Sequence, residues 1–239
     1  MKTLQEKFDQ ASIYLDNKQL NLAFDIYMQL SQEGCGQASF NASCMAFYGE
    51  GVDQDYEKAF SLCKKSANQG YAEAQFNIAN MHHFGKDIAE NKIDKNYKKA
   101  FDLYTKAADQ GHTKSQCNLA FMYAEGKGVK QDYKKAFGWW SKAAKQDNAT
   151  AQTNLAVMYD KGEGVEQNYQ EAFKWYLLAA KRGDVIAQNN LGCMYLRGTA
   201  VEQNYQEAFK WFTKAADQGS KESQLRLNEM HEKEFLKKS

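Results

Sequence analysis

The sequence of 239 residues contains no proline. At an average usage of about 5%, a chain of this length would contain about a dozen prolines. Because proline breaks the hydrogen bonds of a helix interior, its absence is typical of a chain that is helical almost throughout. Glycine, which occurs 16 times, is then the residue that we expect to mark the turns.

An excess of one charge is also missing, since 31 Lys and Arg residues stand against 30 Asp and Glu residues. No basic field is available to hold a polyanion, so nucleic acid is disfavoured as a partner. No stretch approaches the roughly 20 apolar residues of a membrane-spanning helix, and the charged segment Met1 to Lys7 shows no secretory signal. We therefore expect a cytoplasmic chain, while a secreted or periplasmic chain that has lost its signal stays open.

Closely spaced cysteine pairs are absent as well. None of the five cysteines forms a C-x-x-C pair, which excludes a zinc ribbon and a thioredoxin-like motif. We expect reduced, mostly buried thiols, as is usual for free cysteine. The cysteines are Cys35, Cys44, Cys63, Cys117 and Cys193.

What the sequence does contain is an internal repeat. A tyrosine followed three residues later by Ala-Phe occurs five times, at spacings of 41, 36, 36 and 36 residues. These tyrosines are Tyr56, Tyr97, Tyr133, Tyr169 and Tyr205. A series of asparagines keeps the same register, and its members are Asn41, Asn77, Asn118, Asn154 and Asn190. A fixed period of this length indicates a repeat architecture.

Each repeat is predicted to form two helices. In the third repeat, Thr113–Glu125 carries apolar residues at helical spacing and is followed by Gly126, which tolerates the left-handed conformation at a helix end. After a short loop, Asp132 stands in a good N-cap position for a second helix over Tyr133–Gln146. Alanines on that helix are small enough to let neighbouring helices approach closely.

Because one hairpin cannot bury its apolar face alone, the hairpins must stack. We predict an all-α fold, an α/α superhelical solenoid of about 13 helices with one continuous groove. The predicted parts are a divergent N-terminal hairpin, five repeats and a C-terminal capping helix. Their ranges are 1–35; 36–70, 71–111, 112–147, 148–183 and 184–219; and 220–239. The cap becomes charged towards its end, with Glu229, Glu232, Lys233, Glu234, Lys237 and Lys238.

The fourth repeat carries the residues that suggest a family. The run Ala151–Val165, then Asn168-Tyr169, Ala172–Tyr176 and Ala179-Ala180, resembles the Sel1-like repeat, a relative of the tetratricopeptide repeat. The resemblance covers about residues 36–231, and residues 1–35 look like a looser tetratricopeptide-like hairpin. It implies a helical solenoid that acts as an interaction scaffold, as in bacterial regulatory, secretion or host-interaction systems. The paired cysteines of a cysteine-rich bacterial branch of the family are absent.

Three departures from the pattern stand out. His82 occupies a position where the later repeats have Tyr123, Tyr159 and Tyr195. Between Gly85 and Tyr97 the second repeat has five extra residues, whose polar composition predicts a solvent-exposed loop at about 88–96. The fifth loop reads Gly198-Thr199-Ala200-Val201 and lacks the second glycine.

Partner contacts are expected on the first helix of each repeat, because this helix lines the concave surface in tetratricopeptide relatives. The predicted groove residues are Phe40, Phe47, Tyr48, Phe76, Asn80, His83, Phe84, Lys114, Phe121, Glu125, Asp160 and Arg197. The N-terminal half of the groove is aromatic, which predicts an anchor for an apolar helix or an extended peptide. The polar C-terminal half would determine the position at which that segment binds along the groove. Alternatively, several of these rings pack on the N-terminal hairpin, Phe40 above all.

Catalytic, metal and cofactor sites have little support in the sequence. The candidate ligands His82, His83 and His112 include adjacent helical residues that point about 100° apart, and no histidine has an i, i+4 partner. The loop Gly126–Val129 follows a helix rather than a strand, which indicates an architectural turn rather than a phosphate loop. No Gly-x-Ser-x-Gly motif or recognisable Cys–His arrangement occurs. We expect no catalytic residues, no metal and no cofactor.

The leading hypothesis is therefore a monomeric, non-enzymatic adaptor that binds a protein or peptide partner. The alternative is an immunity-type or inhibitory protein that wraps a single effector enzyme and would have one tight partner. An enzyme or a small-molecule sensor would need a closed pocket, which the repeat pattern gives no reason to expect.

Overall fold

The computed structural model of the protein describes residues 3–88 and 91–232. Within them the chain forms thirteen α-helices of 12 or 13 residues and one short β-hairpin. The helices are α1 (Leu4–Asp16), α2 (Leu20–Gln32), α3 (Gly36–Tyr48), α4 (Tyr56–Asn68), α5 (Ala72–Phe84), α6 (Tyr97–Asp109), α7 (Thr113–Glu125), α8 (Tyr133–Ala144), α9 (Ala149–Lys161), α10 (Tyr169–Lys181), α11 (Val185–Arg197), α12 (Tyr205–Asp217) and α13 (Lys221–Glu232). The strands are β1 (Lys86–Ile88) and β2 (Asn91–Ile93).

The predicted all-α repeat fold with about 13 helices is confirmed. In the third repeat, α7 begins and ends at the predicted residues, whereas α8 ends at Ala144, earlier than the predicted Gln146. Among the described residues, every helix is too short or too polar to cross a lipid bilayer.

The insertion in the second repeat differs from the prediction of a solvent-exposed loop. β1 and β2 pair antiparallel, with Lys86 opposite Ile93 and Ile88 opposite Asn91. Residues 89–90, which join them, lie outside the described residues. The prediction was wrong because it judged the segment by its polar composition, while Ile93 is only 8% exposed and ties the second strand to the helices.

Glycine ends the first helix of four repeats. These helices are followed by a glycine in the left-handed conformation, which a residue without a side chain adopts at little cost. The glycines are Gly49, Gly126, Gly162 and Gly198, with φ between 68° and 74°. In the second repeat Gly85 has a similar φ of 68° but a ψ of 109°, because the chain continues into β1 instead of the short loop.

An aspartate or asparagine begins the second helix of every repeat. Its side-chain oxygen accepts a hydrogen bond from the backbone N–H three residues later, which satisfies one of the free donors at a helix N-terminus. The capping residues are Asp55, Asn96, Asp132, Asn168 and Asn204. The predicted cap at Asp132 is thus confirmed, and the same device recurs at the other four positions.

The second glycine of the short loop brings each repeat close to the one before it. A Cβ atom at Gly128 would lie 2.4 Å from the carbonyl oxygen of Tyr97, and one at Gly164 would lie 2.4 Å from that of Tyr133. Both contacts are with the first residue of the preceding second helix. The loop glycine is therefore a packing requirement, which explains why the Gly-x-Gly loop recurs.

The chain divides into two compact units. The first comprises residues 1–122 and 126–130, and its helices α1 to α6 each pack against the next along the chain. The second comprises residues 123–125 and 131–239, and α8 to α13 pack in the same sequential way. Alanines at the helix contacts are completely buried in both units, as the sequence predicted; examples are Ala100, Ala136, Ala172 and Ala208.

A buried glutamine links consecutive hairpins in both units. Its side-chain amide donates to a backbone carbonyl near the end of the preceding second helix, at 3.2 Å in each case. The pairs are Gln75 with Ala67, Gln116 with Ala108, Gln152 with Ala144 and Gln188 with Ala180. Since the last carbonyls of a helix have no partner within it, this glutamine caps one helix from the next.

The C-terminal helix covers the last repeat. Leu227 and Met230 of α13 are buried against Phe212, and the Ser223 hydroxyl donates to Asn189 Oδ1 at 2.9 Å. Of the charged residues predicted for the outer face of this cap, Glu232 is exposed and Glu229 is half-buried. The other four, Lys233, Glu234, Lys237 and Lys238, lie outside the described residues.

Candidate functional site

An apolar cleft of about 230 Å³ lies among α3, α4 and α5 in the first unit. It contains three of the residues predicted for the groove, Phe40, Phe47 and Tyr48. We call it the aromatic cleft. Its principal lining residues are Phe40, Ser43, Cys44, Phe47, Tyr48, Tyr56, Phe60, Cys63, Asn77 and Met81.

The rim of the aromatic cleft is made of exposed rings. Phe47, Tyr48 and Tyr56 have 45%, 66% and 43% of their surface exposed. Phe47 contacts both tyrosines edge-on, with ring centroids 5.1 Å apart in each pair. Edge-on contacts of this kind stabilise aromatic pairs and hold the rings in place.

Phe40 lies deeper in the cleft. Its ring centroid is 5.3 Å from that of Tyr71, and it packs on a core cluster of α4 and α5 that includes Cys63 and Ile78. The alternative that this ring packs on the N-terminal hairpin is therefore not what the structure shows.

A second group of predicted residues lies on α5. The Phe76 ring contacts Tyr104 and His112 at centroid distances of 6.0 and 4.9 Å, and the Lys114 ammonium lies 5.9 Å from its centroid. The hydroxyl of Tyr104 donates to Asn80 Oδ1 at 2.6 Å. Phe76 and Asn80 are thus largely engaged by the protein itself.

The C-terminal end of α5 is more open. Phe84 is 62% exposed, and the half-buried His83 ring lies 4.7 Å from it. The predicted residues of α7 also differ in exposure, since Phe121 is half-buried while Lys114 and Glu125 are exposed. Phe84 is therefore the ring of this helix that is most accessible to a partner.

A polar cleft of about 360 Å³ lies in the second unit and contains the predicted residues Asp160 and Arg197. Burial raises the pKa of the Asp160 carboxyl, and the positive charges of Arg197 and Lys161 oppose this shift. The sequence reasoning did not place Tyr176, Asn190, Glu222 and Arg226 in this cleft. Arg226 pairs with Glu229 at 3.1 Å, yet its Nε is buried without a hydrogen-bond partner among the described residues.

One position of the second helix was overlooked by the sequence reasoning, although the repeat register was sufficient to find it. The later repeats carry a large buried ring there, and the first repeat carries a cysteine. The residues are Cys63, Tyr104, Trp140, Tyr176 and Phe212. The aromatic cleft lies beside this position in the first repeat, which lacks the ring, and the polar cleft lies at the equivalent place in the fourth repeat, beside Tyr176.

The residues set aside as metal or phosphate sites have structural roles. His112 Nδ1 lies 2.8 Å from Ser115 Oγ at the start of α7, and its Nε2 lies 2.9 Å from Glu73 Oε2. Gly128 packs on the backbone of Tyr97. The described residues contain no group of three or more His, Cys, Asp or Glu side chains arranged to hold a metal ion.

As predicted, the described cysteines form no disulfide; Cys63 and Cys117 are buried, and the other three are half-buried. Burial raises the pKa of the Cys63 thiol to about 12 and also raises the pKa of Cys44 and Cys193. Because the thiolate is the nucleophile, these three thiols are poorly suited to covalent catalysis near neutral pH.

Comparison with known proteins identifies a repeat. A family model described as the Sel1 repeat matches the chain five times, at residues 36–71, 72–112, 113–148, 149–184 and 185–220. No curated protein matches the sequence.

Solved structures with Sel1 repeats are similar over nearly the whole chain. A protective antigen of uropathogenic Escherichia coli strains, which displays an SLR fold, is 31% identical with a TM-score of 0.81. The match covers 98% of this chain but 50% of that protein, so the chain spans half its length. A Sel1 repeat protein from Oxalobacter formigenes is 26% identical with a TM-score of 0.78, over 94% of this chain and 87% of that one.

A more distant likeness concerns an immunity protein of Pseudomonas aeruginosa. It is 18% identical with a TM-score of 0.50, over 89% of this chain and 83% of that protein. At this identity the similarity shows a shared fold alone.

Proposed function

Since the chain belongs to the Sel1 repeat family, we propose that it is a non-enzymatic scaffold that holds a protein or peptide partner on the first helices of its repeats. Sel1 repeat proteins generally mediate protein–protein interactions, and the family is typically non-enzymatic. The raised pKa values of Cys44, Cys63 and Cys193 agree with a role without nucleophilic catalysis.

The observation that carries the proposal is the exposure of large rings in the first two repeats. Phe47, Tyr48 and Tyr56 form the rim of an apolar cleft, and Phe84 is exposed at the end of the next first helix. Aromatic residues next to an apolar pocket are typical anchors of protein interfaces, because they bury much area while losing little side-chain freedom. Without a partner, the exposure of these rings to water does not stabilise the folded protein.

The polar cleft supplies a different kind of contact. Asp160, Glu222, Arg197 and Arg226 place both signs of charge around it. Charged groups at an interface contribute more to orientation and specificity than to raw affinity. We propose that this cleft sets the register of the partner, while the aromatic residues of the first two repeats provide most of the binding free energy.

The test compares the wild-type protein with the triple variant Phe47→Ala, Tyr48→Ala, Phe84→Ala. A partner is isolated by affinity purification and mass spectrometry, and its affinity is measured by calorimetry. We expect the triple variant to bind at least about tenfold more weakly, which corresponds to about 1.4 kcal/mol. Phe76 is left intact because its contacts with Tyr104 and His112 would make a loss of binding ambiguous.

The matched control is the double variant Leu22→Ala, Leu178→Ala. Both side chains are exposed, at 37% and 43%, and lie on the second helices α2 and α10. The control is expected to bind as the wild type does, and circular dichroism should show full helicity for all variants. Unchanged affinity in a folded triple variant would contradict the proposal, whereas a single, tight partner with enzymatic activity would favour the inhibitory role.

A further inference from the structure

The first repeat lacks a ring that its four sister repeats use to fill the space between helices. In those repeats the side chain is at most 5% exposed; the residues are Tyr104, Trp140, Tyr176 and Phe212. The equivalent residue of α4 is Cys63. Cysteine is much smaller than any of these rings, so the same backbone arrangement leaves unfilled volume beside Cys63. The cleft beside Cys63 is apolar, whereas the cleft at the equivalent place in the fourth repeat, beside Tyr176, is polar.

The neighbours of the missing ring are the residues that line the aromatic cleft. In the second repeat, the Tyr104 hydroxyl donates to Asn80 of its own first helix and also contacts Asn118 of the next one. Around Cys63, the counterpart of Asn80 is Cys44 of the first repeat and the counterpart of Asn118 is Asn77 of the second repeat. Both line the cleft together with Cys63. The aromatic cleft is therefore the place that a ring at position 63 would occupy.

Asn77 points to the kind of ring that the cleft would accept. In the second repeat Asn118, the equivalent of Asn77, donates at 3.4 Å to Asn80 Oδ1, which also accepts from the Tyr104 hydroxyl. Side-chain hydrogen bonding by Asn118 and by its equivalent Asn190 opposes the rise that burial causes in the pKa of Tyr104 and Tyr176. Asn77 of α5 lines the cleft, and its side chain makes no hydrogen bond among the described residues. The cleft thus retains an amide at the place where Asn118 and Asn190 lie beside a tyrosine hydroxyl.

The size and charge of the cleft suit a neutral phenol ring. An apolar cavity of about 150 Å³ holds a benzene molecule, so a cleft of about 230 Å³ has room for one ring. None of the side chains that line it is charged. The charges that act on Cys44 are the carboxylates of Glu50 and Glu73, which would repel an anionic side chain such as a phosphotyrosine.

We propose that the aromatic cleft is the pocket for an unmodified tyrosine side chain of the partner, which completes the first repeat from outside as Tyr104 and Tyr176 complete theirs from within. The inference rests on the proposed scaffold function and names its anchor. Phe40, Phe60 and Met81 would contact the faces of the incoming ring, Asn77 would bind its hydroxyl, and the rim rings would cover its edges.

The direct test uses blocked amino acids as probes and needs no identified partner. N-acetyl-tyrosinamide, N-acetyl-phenylalaninamide and N-acetyl-leucinamide are titrated into the isotopically labelled 239-residue protein and followed by NMR. We expect the tyrosine probe to shift the signals of cleft residues at millimolar concentration and to bind several-fold more tightly than the phenylalanine probe. The leucine probe and N-acetyl-phosphotyrosinamide should bind more weakly still.

Three variants separate the pocket from general surface binding. Cys63→Tyr installs the ring of the sister repeats and should abolish binding of the tyrosine probe, while Cys63→Ser keeps the cleft open and should retain it. Asn77→Ala should lower tyrosine binding to the level of phenylalanine without changing phenylalanine binding. If Cys63→Tyr does not fold, the Asn77→Ala variant decides between a tyrosine pocket and general surface binding, because only the pocket predicts weaker binding of the tyrosine probe with unchanged binding of the phenylalanine probe. Equal binding of all probes, or full binding by a folded Cys63→Tyr variant, would overturn the inference.

Selection of random peptides on the wild type and on Cys63→Tyr distinguishes failure of this inference from failure of the scaffold function. The tyrosine pocket and the scaffold function are both supported if tyrosine is enriched in peptides selected on the wild type but not in peptides selected on Cys63→Tyr. Peptides that bind both proteins equally and show no tyrosine enrichment leave the scaffold function standing and overturn the tyrosine pocket. The absence of binding peptides, combined with tyrosine-probe binding at the cleft, supports the pocket and counts against the scaffold function.

Discussion

At the scale of single residues, Ala200 is in a conformation that favours glycine. It has a φ of 65° and occupies the loop position of Gly128 and Gly164 in the preceding repeats. The left-handed region costs a residue with a side chain about 1–2 kcal/mol. In those two repeats a Cβ atom would also approach a backbone carbonyl to 2.4 Å, so the fifth repeat must accommodate a methyl group that its neighbours exclude.

Replacing Ala200 by glycine is expected to stabilise the protein. Relief of the backbone strain is partly offset by the greater freedom of glycine in the unfolded chain, about 0.4–1 kcal/mol. The net gain should be about 0.5–1 kcal/mol, or a rise of about 1–4 °C in Tm. The measurement is thermal and urea unfolding, and Gly164→Ala is the matched control, which should lose more than about 1 kcal/mol. A lower Tm for Ala200→Gly would contradict the argument.

His82 should make the protein sensitive to acid. Burial lowers its pKa, a backbone hydrogen bond at Asp94 partly offsets the shift, and Lys99 and Lys64 add to it. The folded state therefore resists protonation of a group that the unfolded chain protonates below its ordinary pKa of 6.5. By linkage, the stability associated with neutral His82 is fully present above pH 6.5 and is lost as the pH falls from there through the lower pKa of the folded state.

The measurement is the free energy of unfolding in urea at pH 5.5 and pH 8. The wild type should be less stable at the lower pH, and His82→Gln should reduce the difference between the two values. His231→Gln removes an exposed histidine and is the control, with the difference expected to stay close to that of the wild type. An identical pH dependence in the wild type and His82→Gln would show that His82 is not responsible.

At the scale of elements, the hairpin in the second repeat is an addition that leaves the repeat geometry intact. A hydrogen bond closes the chain around the hairpin, because the Asn96 N–H donates to the His82 carbonyl at 2.7 Å. In the third repeat the equivalent Asp132 N–H donates to the Tyr123 carbonyl at 2.9 Å. Asn96 still caps α6, with its Oδ1 2.9 Å from the Lys99 nitrogen. The helices that flank the insertion therefore meet in the ordinary way.

We expect that residues 86–95 can be replaced by the five-residue loop Lys127–Gln131. The free energy of unfolding should fall by about 2 kcal/mol, the scale of one buried isoleucine, because the replacement removes the buried side chain of Ile93. Urea unfolding checks the prediction, and Ile93→Ser in the chain that keeps the hairpin should account for most of the loss. Non-cooperative unfolding of the loop variant would mean that the hairpin is needed for the repeat to form.

At the scale of the whole molecule, stability is expected to come from contacts between neighbouring hairpins. Among the described residues, α13 packs on α12 and covers the fully buried ring of Phe212 with Leu227 and Met230. Loss of this cover would expose an apolar helix face of the last repeat.

The double variant Leu227→Ser, Met230→Ser should therefore be destabilised by at least about 3 kcal/mol, since each substitution removes a buried apolar side chain. The expected signs are a lower Tm in calorimetry and more aggregation in light scattering. Leu225→Ser, on the same helix but 57% exposed, is the control and should behave as the wild type does. Equal stability of the three proteins would show that α13 does not serve as a cap.

The sequence by itself determined the helices, their ends and their order. The residues that decide them act locally: a glycine such as Gly126 ends a first helix, an aspartate such as Asp132 caps the second, and the absence of proline leaves the helices unbroken. Five copies of the same local interactions reinforce one another. The insertion departs from this rule, because its pairing into strands and the burial of Ile93 depend on contacts that its polar composition does not reveal.

Only the tertiary structure decided which of the predicted groove residues stay accessible. Phe40 and Phe76 occupy equivalent positions, yet Phe76 packs on Tyr104 while Phe40 borders a cleft, because the residue across from it is Cys63. Whether a ring on the first helix is core or surface thus depends on a side chain more than twenty residues away. That pairing becomes apparent only when the helices are packed together, and it places the aromatic cleft in the first repeat.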